Sequence, residues 1–492
     1  MNTMVSWRDY EGVEGFYGQA SPTELNDLRK ALVAGNAINP PGSVVAGDGF
    51  ALRVESLERT LKNTTFRAEH IRLWRAIPKR PGYNTVEEFN QIQSYGSLDT
   101  GAFLEEGALP NETDASYQRQ FAIVKFMGVT RRVSHVMTLV KPAHGNVIAQ
   151  ETIAGTMYLL QQVEQNLFFG RSDMDAVQWD GYEKLIEDGT GASAVTTSAN
   201  IIDLRGQPLT EDRLIDAALT IMDAPNFGLP THLHLNPKVK ADLVKTFFPK
   251  ARYDLLGKTD QGLVGLDIKG FTSPAGDIRF EPNVFITNGG VVSSIQAGAN
   301  GGAIGDPSMR PASPTISVAI AVASSTSSQF AASDAGSYFY WVVAVNRFGA
   351  SIPVAVNGSA QAVAAGQHVT FTVLPGPGPT PAFYKIYRTS VNGAQTNAAL
   401  ILKVANAGGA GAQAIADENA RMPFTTSAFM FQQNLENMSF IQLAPMIKIP
   451  LATVDPSLRW MQLLYGVPVL YTPKHNVVFR NVGRAPDFVG AP

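Results

Sequence analysis

Residues 146–170, NVIAQETIAGTMYLLQQVEQNLFFG, decide the fold of this chain. Asn146 can cap the start of a helix and Gly170 can end it. The pattern predicts a helix of about 23 residues, which would be about 34 Å long. Helices in globular proteins average only about 11 or 12 residues, so we expect a strut across the subunit whose Gln and Glu residues leave one face wet. Its apolar positions are Ile153, Met157, Leu160 and Leu167.

The chain before this helix has its charges separated into blocks. Residues 53–80 contain eight Lys and Arg against three Asp and Glu, residues 82–118 contain seven acids and no base, and residues 119–141 contain five bases and no acid. The segments IRLWRAI and FAIVKFMGVTRRVSHVMTLV, on either side of the acidic block, have the composition of strands. We therefore predict a long two-stranded ribbon with an acidic tip and basic stems.

A two-stranded ribbon is marginal in water, because it has no further strand or helix on which to bury a face. A second surface is needed, and the acidic tip would fit the basic stem of another copy, which predicts salt-sensitive assembly. An ordinary solvated hairpin with a local charge bias is the open alternative. The residues expected to make intersubunit contacts are Arg72, Arg75, Lys79, Arg80, Glu87, Glu88, Glu105, Glu106, Arg131 and Arg132.

Helix signals also flank the ribbon and the strut. SPTELNDLRKALVAGN, at residues 21–36, predicts a helix that a flexible arm follows. After the strut, LTEDRLIDAALTIMDAP predicts a helix from Thr210 that stops before Pro225. NPKVKADLVKTFFP predicts another, from Asn236 and Pro237 to a stop before Pro249. Short strand signals surround these two helices, so this part predicts an α+β unit.

The composition changes from about residue 293 onward. Residues 311–410 carry only five charged side chains, and Ala, Gly, Ser, Val and Pro dominate. The strand signals YFYWVVAVN, HVTFTVL, AFYKIYRT and ALILKVA are separated by turn-rich links, which predicts a separate small β-sandwich. After the sandwich, the chain again has the mixed composition of the part before it. We therefore predict that the segments before and after the sandwich form one domain.

The overall composition excludes several classes of function. The 492 residues include no cysteine, which removes disulfides, thiolate metal sites and thiol nucleophiles. The net charge is −3 without a long basic run, so tight nucleic-acid binding is not expected. No signal peptide and no window of about 18 apolar residues occurs, which predicts a soluble, unsecreted chain.

Enzyme-like patterns are weak. His232 and His234 on a strand would share one face and could bind a metal, but neither His135 nor His144 is an identifiable third ligand, and polar loop histidines are the preferred interpretation. The adjacent acids of the ribbon would face opposite sides of a strand, which does not suit a glycosidase pair. No G-x-S-x-G or H-E-x-x-H motif occurs. We predict no enzyme, no catalytic residue, no cofactor and no bound metal.

The order of these elements resembles the tailed-bacteriophage major capsid protein family, with its Hong Kong 97-type fold. The resemblance rests on the loop around 66–138, the helix 146–170, the run LTEDRLIDAALTIMDAPNFGLPTHLHLNPKVKADLVKTF and the closing VPVLYTPKHNVVFRN. The sandwich is similar to an immunoglobulin or fibronectin type III domain, although HVTFTVL and FYKIYR follow the strand that they would normally precede. That similarity rests on Tyr338, Tyr340, Val342, Ala344, Asn346 and Gly349.

The resemblance implies an α+β Hong Kong 97-type capsid fold with an inserted all-β immunoglobulin-like sandwich. The implied divisions are 1–60 (N-terminal arm), 61–140 (extended-loop β-ribbon), 141–195 (spine helix and peripheral domain), 196–300 (axial domain), 301–424 (inserted sandwich) and 425–492 (return to the axial and peripheral domains). Some members weld their shells through a lysine of the extended loop. Residues 82–118 contain no lysine, so only Lys79, at the base, is a candidate here.

The resemblance also implies a function and partners. Copies would self-assemble as hexamers and pentamers into the icosahedral head shell of a virion, around weakly contacted double-stranded DNA and without a membrane. Assembly would take place in the bacterial cytoplasm, with the sandwich outside and with a decoration or cement protein, a portal and a scaffold as possible partners. Two alternatives remain open: a nanocompartment shell of the same fold, and a carbohydrate-binding or hydrolase protein with a β-sandwich module.

Overall fold

The computed structural model describes residues 63–96, 103–109, 112–141, 145–191, 198–251, 268–286, 304–395, 397–452 and 455–484. The chain divides into two compact units, Met1–Lys62 with Lys141–Gly145, and Asn63–Val140 with Asn146–Pro492. All helices and strands below belong to the second unit. The helix predicted for residues 21–36 and the arm after it lie outside the described residues.

The long helix forms where the sequence predicts it. The Asn146 side chain accepts hydrogen bonds from the backbone N–H groups of Ile148 and Ala149, and Gly170 ends the helix. The expectation of a wet Gln/Glu face is wrong at Glu164, which is fully buried. The α-helices in the described part of the chain are α1 (Leu73–Ala76), α2 (His135–Leu139), α3 (Val147–Phe169), α4 (Tyr182–Thr190), α5 (Glu211–Met222) and α6 (Pro237–Ala251).

Two further helices are present where the sequence predicts them, but only one of them ends where it was predicted to end. The helix α5 begins after its predicted start, Thr210, and ends before Pro225. The helix α6 begins at Pro237 but runs past Pro249, so its predicted end is wrong. Within the described residues, no helix is long and apolar enough to cross a membrane.

The strands fall into three groups along the chain. Before the sandwich lie β1 (Lys79–Pro81), β2 (Val86–Ser94), β3 (Ser116–Ile123), β4 (Lys125–Ser134), β5 (Ile201–Asp203), β6 (His232–Leu235), β7 (Gly270–Ser273) and β8 (Gly276–Pro282). The sandwich segment contains β9 (Ile304–Gly305), β10 (Thr315–Ser324), β11 (Gly336–Tyr338), β12 (Tyr340–Asn346), β13 (Gly349–Ala350), β14 (Val354–Ala355), β15 (Gln361–Val363), β16 (Gln367–Leu374), β17 (Phe383–Thr389), β18 (Ala398–Ala405) and β19 (Gln413–Asp417). After it lie β20 (Thr426–Phe431), β21 (Met438–Pro450), β22 (Ser457–Leu470) and β23 (Val477–Val482).

Two of the sheets bring distant parts of the chain together, and a third joins neighbouring segments. A four-stranded sheet has the order β1-β21-β22-β4, and a six-stranded sheet has the order β5-β23-β20-β6-β8-β7. The third is a two-stranded sheet of β2 and β3 alone. The body therefore combines strands from both sides of the sandwich segment.

The ribbon exists, but its strands differ from the predicted ones. IRLWRAI does not form a strand, because Leu73–Ala76 is the helix α1, and HVMTLV supplies the helix α2. The acidic block itself provides the strand β2, which pairs with β3 in antiparallel register. The basic strand β4 leaves the ribbon and joins the four-stranded sheet beside β22.

Two hydrophobic cores hold the body together. In the first, α3 and α4 pack on β20, β21 and β22, with Phe168, Tyr182, Phe429 and Phe440 fully buried. In the second, α5 and α6 pack on the six-stranded sheet, with Leu214, Leu243, Phe280 and Phe479 buried. The body is thus an α+β structure in which helices cover the sheets.

The sandwich segment forms two layers around a third core. One layer has the order β18-β17-β12-β13-β9, with β14 also paired to β12, and the other has the order β10-β16-β19. Tyr340, Tyr384 and Ile386 from the first layer meet Phe371 and Ile415 from the second, and all five are buried. The predicted β-sandwich is therefore present, with a core of its own.

Candidate interaction surface

The ribbon of β2 and β3 has two faces with different surroundings. On the inner face, the Phe89 ring meets the Tyr471 ring edge-on at 5.0 Å, and the Gln91 side chain donates a hydrogen bond of 2.5 Å to the Tyr471 carbonyl. Phe89 and Ala122 pack on the first core. Because side chains alternate along a strand, the residues between them point away from the body.

The outer face of the ribbon carries a stripe of exposed apolar side chains, which we call the apolar stripe. Cross-strand pairs form it: Val86 lies opposite Ile123, Ile92 lies opposite Tyr117, and Phe121 lies between these pairs, opposite Glu88. The five side chains are between 43% and 71% exposed. Asn90 and Arg119 lie on the same face, between Phe121 and the Ile92–Tyr117 pair. Scattered single apolar residues are normal on a surface, but several large ones grouped on one strand face indicate an interaction site.

A buried carboxylate anchors the base of the ribbon to the long helix. Glu164 of α3 accepts hydrogen bonds from the backbone N–H groups of Leu73 and Trp74, each at 2.8 Å, and of Arg72, at 3.1 Å. The Asn283 side chain donates a fourth hydrogen bond to the same carboxylate, at 2.5 Å. Burial raises the pKa of Glu164, while these hydrogen bonds oppose the rise. The ribbon therefore leaves the body from a fixed point.

The basic residues near this base have partners inside the chain. Arg72 forms a 2.7 Å ion pair with Glu281. The Lys79 ammonium donates to the Trp74 carbonyl at 2.8 Å and lies over the Trp74 ring, and partial burial lowers its pKa. Arg80 donates to the Tyr471 hydroxyl at 3.1 Å. Arg75 is exposed. It lines a cleft between α1 and the strand β6, together with His232 and Glu281.

The remaining predicted contact residues are spread along the ribbon and its stem. In the ribbon, Glu87 accepts backbone hydrogen bonds from Tyr83 and Asn84, and Glu88 lies 3.4 Å from Arg119. Glu105 and Glu106 are exposed in the segment 103–109.

The two arginines of the stem β4 have acidic neighbours. Arg131 lies 3.6 Å from Glu151, and Arg132 lies 2.5 Å from Asp455. Exposed ion pairs of this kind contribute at most about 1 kcal/mol. The ten predicted contact residues therefore do not gather into one cluster within the chain.

Charge patterning missed the apolar stripe. Its signal was present in the sequence, because Tyr117, Phe121 and Ile123 are an even number of positions apart and therefore share one face of a strand. A strand that buries one face against its own domain has the same pattern. Only the pairing with β2, and the Phe89 face packed on the body, show that this side has no partner within the described part of the chain.

The two histidines of the strand β6 form a stacked pair and are not loop residues as interpreted from the sequence. Their ring centroids lie 6.4 Å apart, and His234 is fully buried, with its Nε2 3.3 Å from the Gln433 side-chain oxygen. Burial is the main cause that lowers the pKa of His234 to about 4. His135 begins α2, whereas His144 lies outside the described residues. Among the residues with described positions, no three His, Asp or Glu side chains come together to hold a metal.

Arg205, in the loop after β5, connects the body to the sandwich. Its guanidinium donates to the Asn419 carbonyl at 3.0 Å, to the Gln329 side chain at 3.2 Å and to the Gln329 carbonyl, and it pairs with Asp334 at 2.8 Å. Asn419 also donates to Asp334 and accepts from the buried Arg388. A continuous polar network thus runs from the body into the sandwich core.

A second junction follows the last sandwich strand. Arg421 pairs with Glu183 of α4, which Arg480 of β23 also contacts at 3.0 Å. Burial by itself would raise the pKa of Glu183, but the neighbouring guanidinium groups outweigh it and hold the pKa at about 2. The body therefore contacts the sandwich at Gln329 and Asp334, and again directly after its last strand, at Asn419 and Arg421.

Comparisons with known proteins found relatives by sequence. No family model matches the chain. The "Major capsid protein" of Staphylococcus phage S25-3 is 24% identical over 469 residues, which cover 93% of this chain and 95% of the relative. The "Putative major capsid protein" of Enterococcus phage phiEF24C is 23% identical over 483 residues and covers 93% and 94%.

A solved structure shows the same kind of likeness. The capsid of cyanophage Pam1 is 9% identical, with a TM-score of 0.44 over 88% of this chain and 98% of the other. The curated relatives match nearly their whole length, through the ribbon, the long helix, the α+β body and the sandwich segment. They are named for a structural role, and this chain is likewise a structural protein and not an enzyme. Through its exposed ribbon, its long helix and its α+β body, the chain is similar over nearly its whole length to the major capsid proteins of these phages.

Proposed function

We propose that copies of this chain assemble, as hexamers and pentamers, into the closed icosahedral head shell of a tailed phage that encloses packaged double-stranded DNA. The observation that carries this proposal is the ribbon, whose outer face displays five large apolar side chains. Fully burying one such side chain contributes about 1.5–3 kcal/mol. A second copy of the chain, present at the same concentration, supplies the missing surface repeatedly and in a fixed geometry.

The intersubunit role of charged residues is part of the same proposal. Arg75, Glu105 and Glu106 are exposed and can meet a neighbour directly. Arg72, Lys79, Arg80, Glu87, Glu88, Arg131 and Arg132 already have partners in the chain, so they would act at the edges of the contact. Exposed charge pairs at the edge of an interface influence the alignment of the two copies and their rate of association more than the binding affinity.

Electron microscopy of the purified chain, expressed alone in bacteria, tests the proposal. We expect uniform closed shells or separate five- and six-membered capsomers. A chain that stays monomeric under all assembly conditions contradicts it. Packaged phage DNA inside native particles would distinguish a phage head from a nanocompartment shell.

We propose that the shell subunit has the divisions predicted from the sequence. They are the N-terminal arm (1–60), the extended-loop ribbon (61–140), the spine helix with the peripheral domain (141–195), the axial domain (196–300), the inserted sandwich (301–424) and the return to the axial and peripheral domains (425–492). We infer that the insert is an immunoglobulin-like domain displayed outside the shell. Its two-layer core and its tie through Arg205 support this role. Limited proteolysis of assembled particles should cut near Gly301 or Pro423. Protection at both positions would place the insert in an interface.

Accessory partners follow from the same role. The virion would be the chain's final location, with assembly in the host cytoplasm and with scaffold, portal and cement proteins as partners. The net charge of −3 would let packaged DNA slide, because a basic lining would hold it by counterion release. Cross-linking mass spectrometry of purified virions would identify the proteins that touch the insert.

A further inference from the structure

Two lysines lie side by side on the outer face of the sandwich layer that contains β17 and β18. Lys385 of β17 is directly opposite Lys403 of β18 in antiparallel register. Tyr384 and Ile386, on either side of Lys385, point into the sandwich core, and Lys403 likewise lies between two residues that pack on that core. Because side chains alternate along a strand, both lysines leave the same outer face. Directly opposite residues have Cβ atoms about 4.5–5.5 Å apart, so both ammonium groups can reach one small ligand.

This face of the sandwich lies near the second junction with the body. The charges of Arg171, Arg421 and Glu183 all act on Lys403, together with the charge of Lys385. Both lysines are half-buried. Burial lowers the pKa of both, that of Lys403 to about 8. The two ammonium groups therefore occupy a partly desolvated position that solvent still reaches.

The acids near the two lysines already serve other bases. Glu183 pairs with Arg421 and Arg480, and Glu187 pairs with Arg171 and Arg480. Within the described part of the chain, neither lysine forms an ion pair or a hydrogen bond through its ammonium group. Like charges directly opposite each other destabilise a sheet, and a buried charge without a partner is costly. An anion held between the two ammonium groups would remove both costs.

We propose that Lys385 and Lys403 form a binding site for a small oxyanion of the phosphate type. A phosphate group carries a charge of about −1.5 to −2 near neutral pH, which balances the two ammonium groups. Its oxygens accept hydrogen bonds from both at once. A half-buried position admits a small free anion and not a double helix. The bound anion adds a further link between the sandwich and the body, and this inference concerns the single chain, beyond the proposed function.

Isothermal titration calorimetry of the purified chain with inorganic phosphate, at pH 7 and constant ionic strength, tests the site. Binding itself is measured because phosphate also stabilises proteins through exclusion from their surface. We expect saturable binding of one phosphate per chain. Lys385→Met and Lys403→Met each remove an ammonium group and keep an apolar side chain of similar length. Each should weaken binding about ten-fold or more, since a hydrogen bond to a charged group is lost.

The matched control is Arg347→Met, which removes an exposed cation elsewhere in the sandwich and should leave phosphate binding unchanged. Without phosphate, the two lysine variants should melt no lower than the unaltered chain, because one of two like charges is gone. Lys403→Arg keeps the charge and should still bind phosphate, which covers the case in which a methionine variant does not fold.

The affinity should also depend on pH, because the site needs charged lysines. The protonated fraction of Lys403 falls from about 0.9 at pH 7 to about 0.1 at pH 9. Arg171, Arg421 and Glu183 keep their charges over this range, and Lys385 adds to the fall when it loses its own proton. Sulfate, whose charge is constant over this range, should therefore bind about ten-fold more weakly at pH 9 than at pH 7. Lys403→Arg should flatten this dependence.

Three results would overturn the site. One is the absence of saturable phosphate binding to the unaltered chain. Another is binding that both methionine variants retain at the affinity of Arg347→Met, which places the anion elsewhere. The third is a sulfate affinity that falls equally with pH in the unaltered chain and in Lys403→Arg.

Discussion

The ribbon and the sandwich are both built from antiparallel strands, yet they bury their side chains differently. In the sandwich, two layers enclose Tyr340, Phe371 and Ile415, and every layer has a partner inside the chain. In the ribbon, one face packs on the body and the other displays Tyr117 and Phe121. The sandwich supplies its own core, whereas the ribbon depends on a second surface.

The charged side chains of the sandwich and of the ribbon also differ in burial. The sandwich holds Arg388 and Asp417 inside its core, at 1% and 4% exposure, joined by a 2.5 Å ion pair. The ribbon and the segment between its strands instead expose Glu88, Glu105 and Glu106 to water. A buried ion pair contributes to one defined internal arrangement, while exposed acids influence how a partner approaches. Under the proposed function, the two regions act at different stages: the sandwich contributes to folding and the ribbon to association between copies.

The largest effect is expected in the ribbon. Tyr117→Asp combined with Phe121→Asp places two charges in the apolar stripe, and we expect complete loss of shells and capsomers by electron microscopy. Exposed substitutions change the free energy of unfolding by only about 0.5 kcal/mol, so the unassembled chain should melt as before. Val318→Asp, on the exposed surface of the sandwich, is the control and should assemble. Normal shells from the ribbon variant would show that the stripe is not an interface.

The next effect is in the sandwich core. Asp417 accepts hydrogen bonds from Arg388, from the Tyr340 hydroxyl at 2.9 Å and from the Asn419 backbone. Asp417→Ala leaves a buried guanidinium without its counter-charge, which should lower the free energy of unfolding by about 3–5 kcal/mol in chemical denaturation. The neighbouring Glu418→Ala should cost far less. Equal losses from both variants would argue against a buried ion pair that stabilises the sandwich.

Protonation of His234 should lower the free energy of unfolding of the body as the pH falls. Its pKa of about 4 in the folded chain lies below the ordinary 6.5, mainly because it is buried. The unfolded chain therefore binds a proton at a higher pH than the folded chain does, so stability is complete above pH 6.5 and is lost as the pH falls towards 4. The difference of about 2.5 pH units corresponds to about 3 kcal/mol.

Denaturation of the unassembled chain between pH 7 and 4 measures this loss. His234→Gln should flatten the slope of stability against pH, and His135→Gln, at an exposed site, should leave the slope unchanged. An unchanged slope in His234→Gln would place the acid sensitivity on other groups.

The smallest effect is expected from the ribbon's exposed acids. Glu105→Gln and Glu106→Gln remove charges that have no ion-pair partner within the described part of the chain, and each should change assembly by about 0.5 kcal/mol or less at low salt. The measurement is assembly yield against ionic strength, for both variants and the unaltered chain. A yield that collapses with salt in the unaltered chain would mean that charge, and not the apolar stripe, supplies most of the association. A yield flat with salt in all three would remove the proposed role of the charges.

Local signals in the sequence predicted several elements well. Asn146 and Gly170 bound a helix whose ends depend only on neighbouring residues. Thr210 precedes α5 as predicted, although its side chain makes no capping hydrogen bond. Strand-like composition failed at Leu73–Ala76, because the carboxylate of Glu164, about 90 positions away, accepts the backbone N–H groups that begin α1. No local pattern contains that partner.

Charge blocks and local periodicity determined that a charged ribbon, a long helix and a β-sandwich occur in this order, because these properties depend on near neighbours along the chain. Tertiary structure alone decided which ribbon face stays exposed, since that depends on where Tyr471 lies. It also decided that β4 joins β22 and that Arg205 reaches Asp334. These contacts join residues more than a hundred positions apart, and only the folded chain brings them within reach of one another.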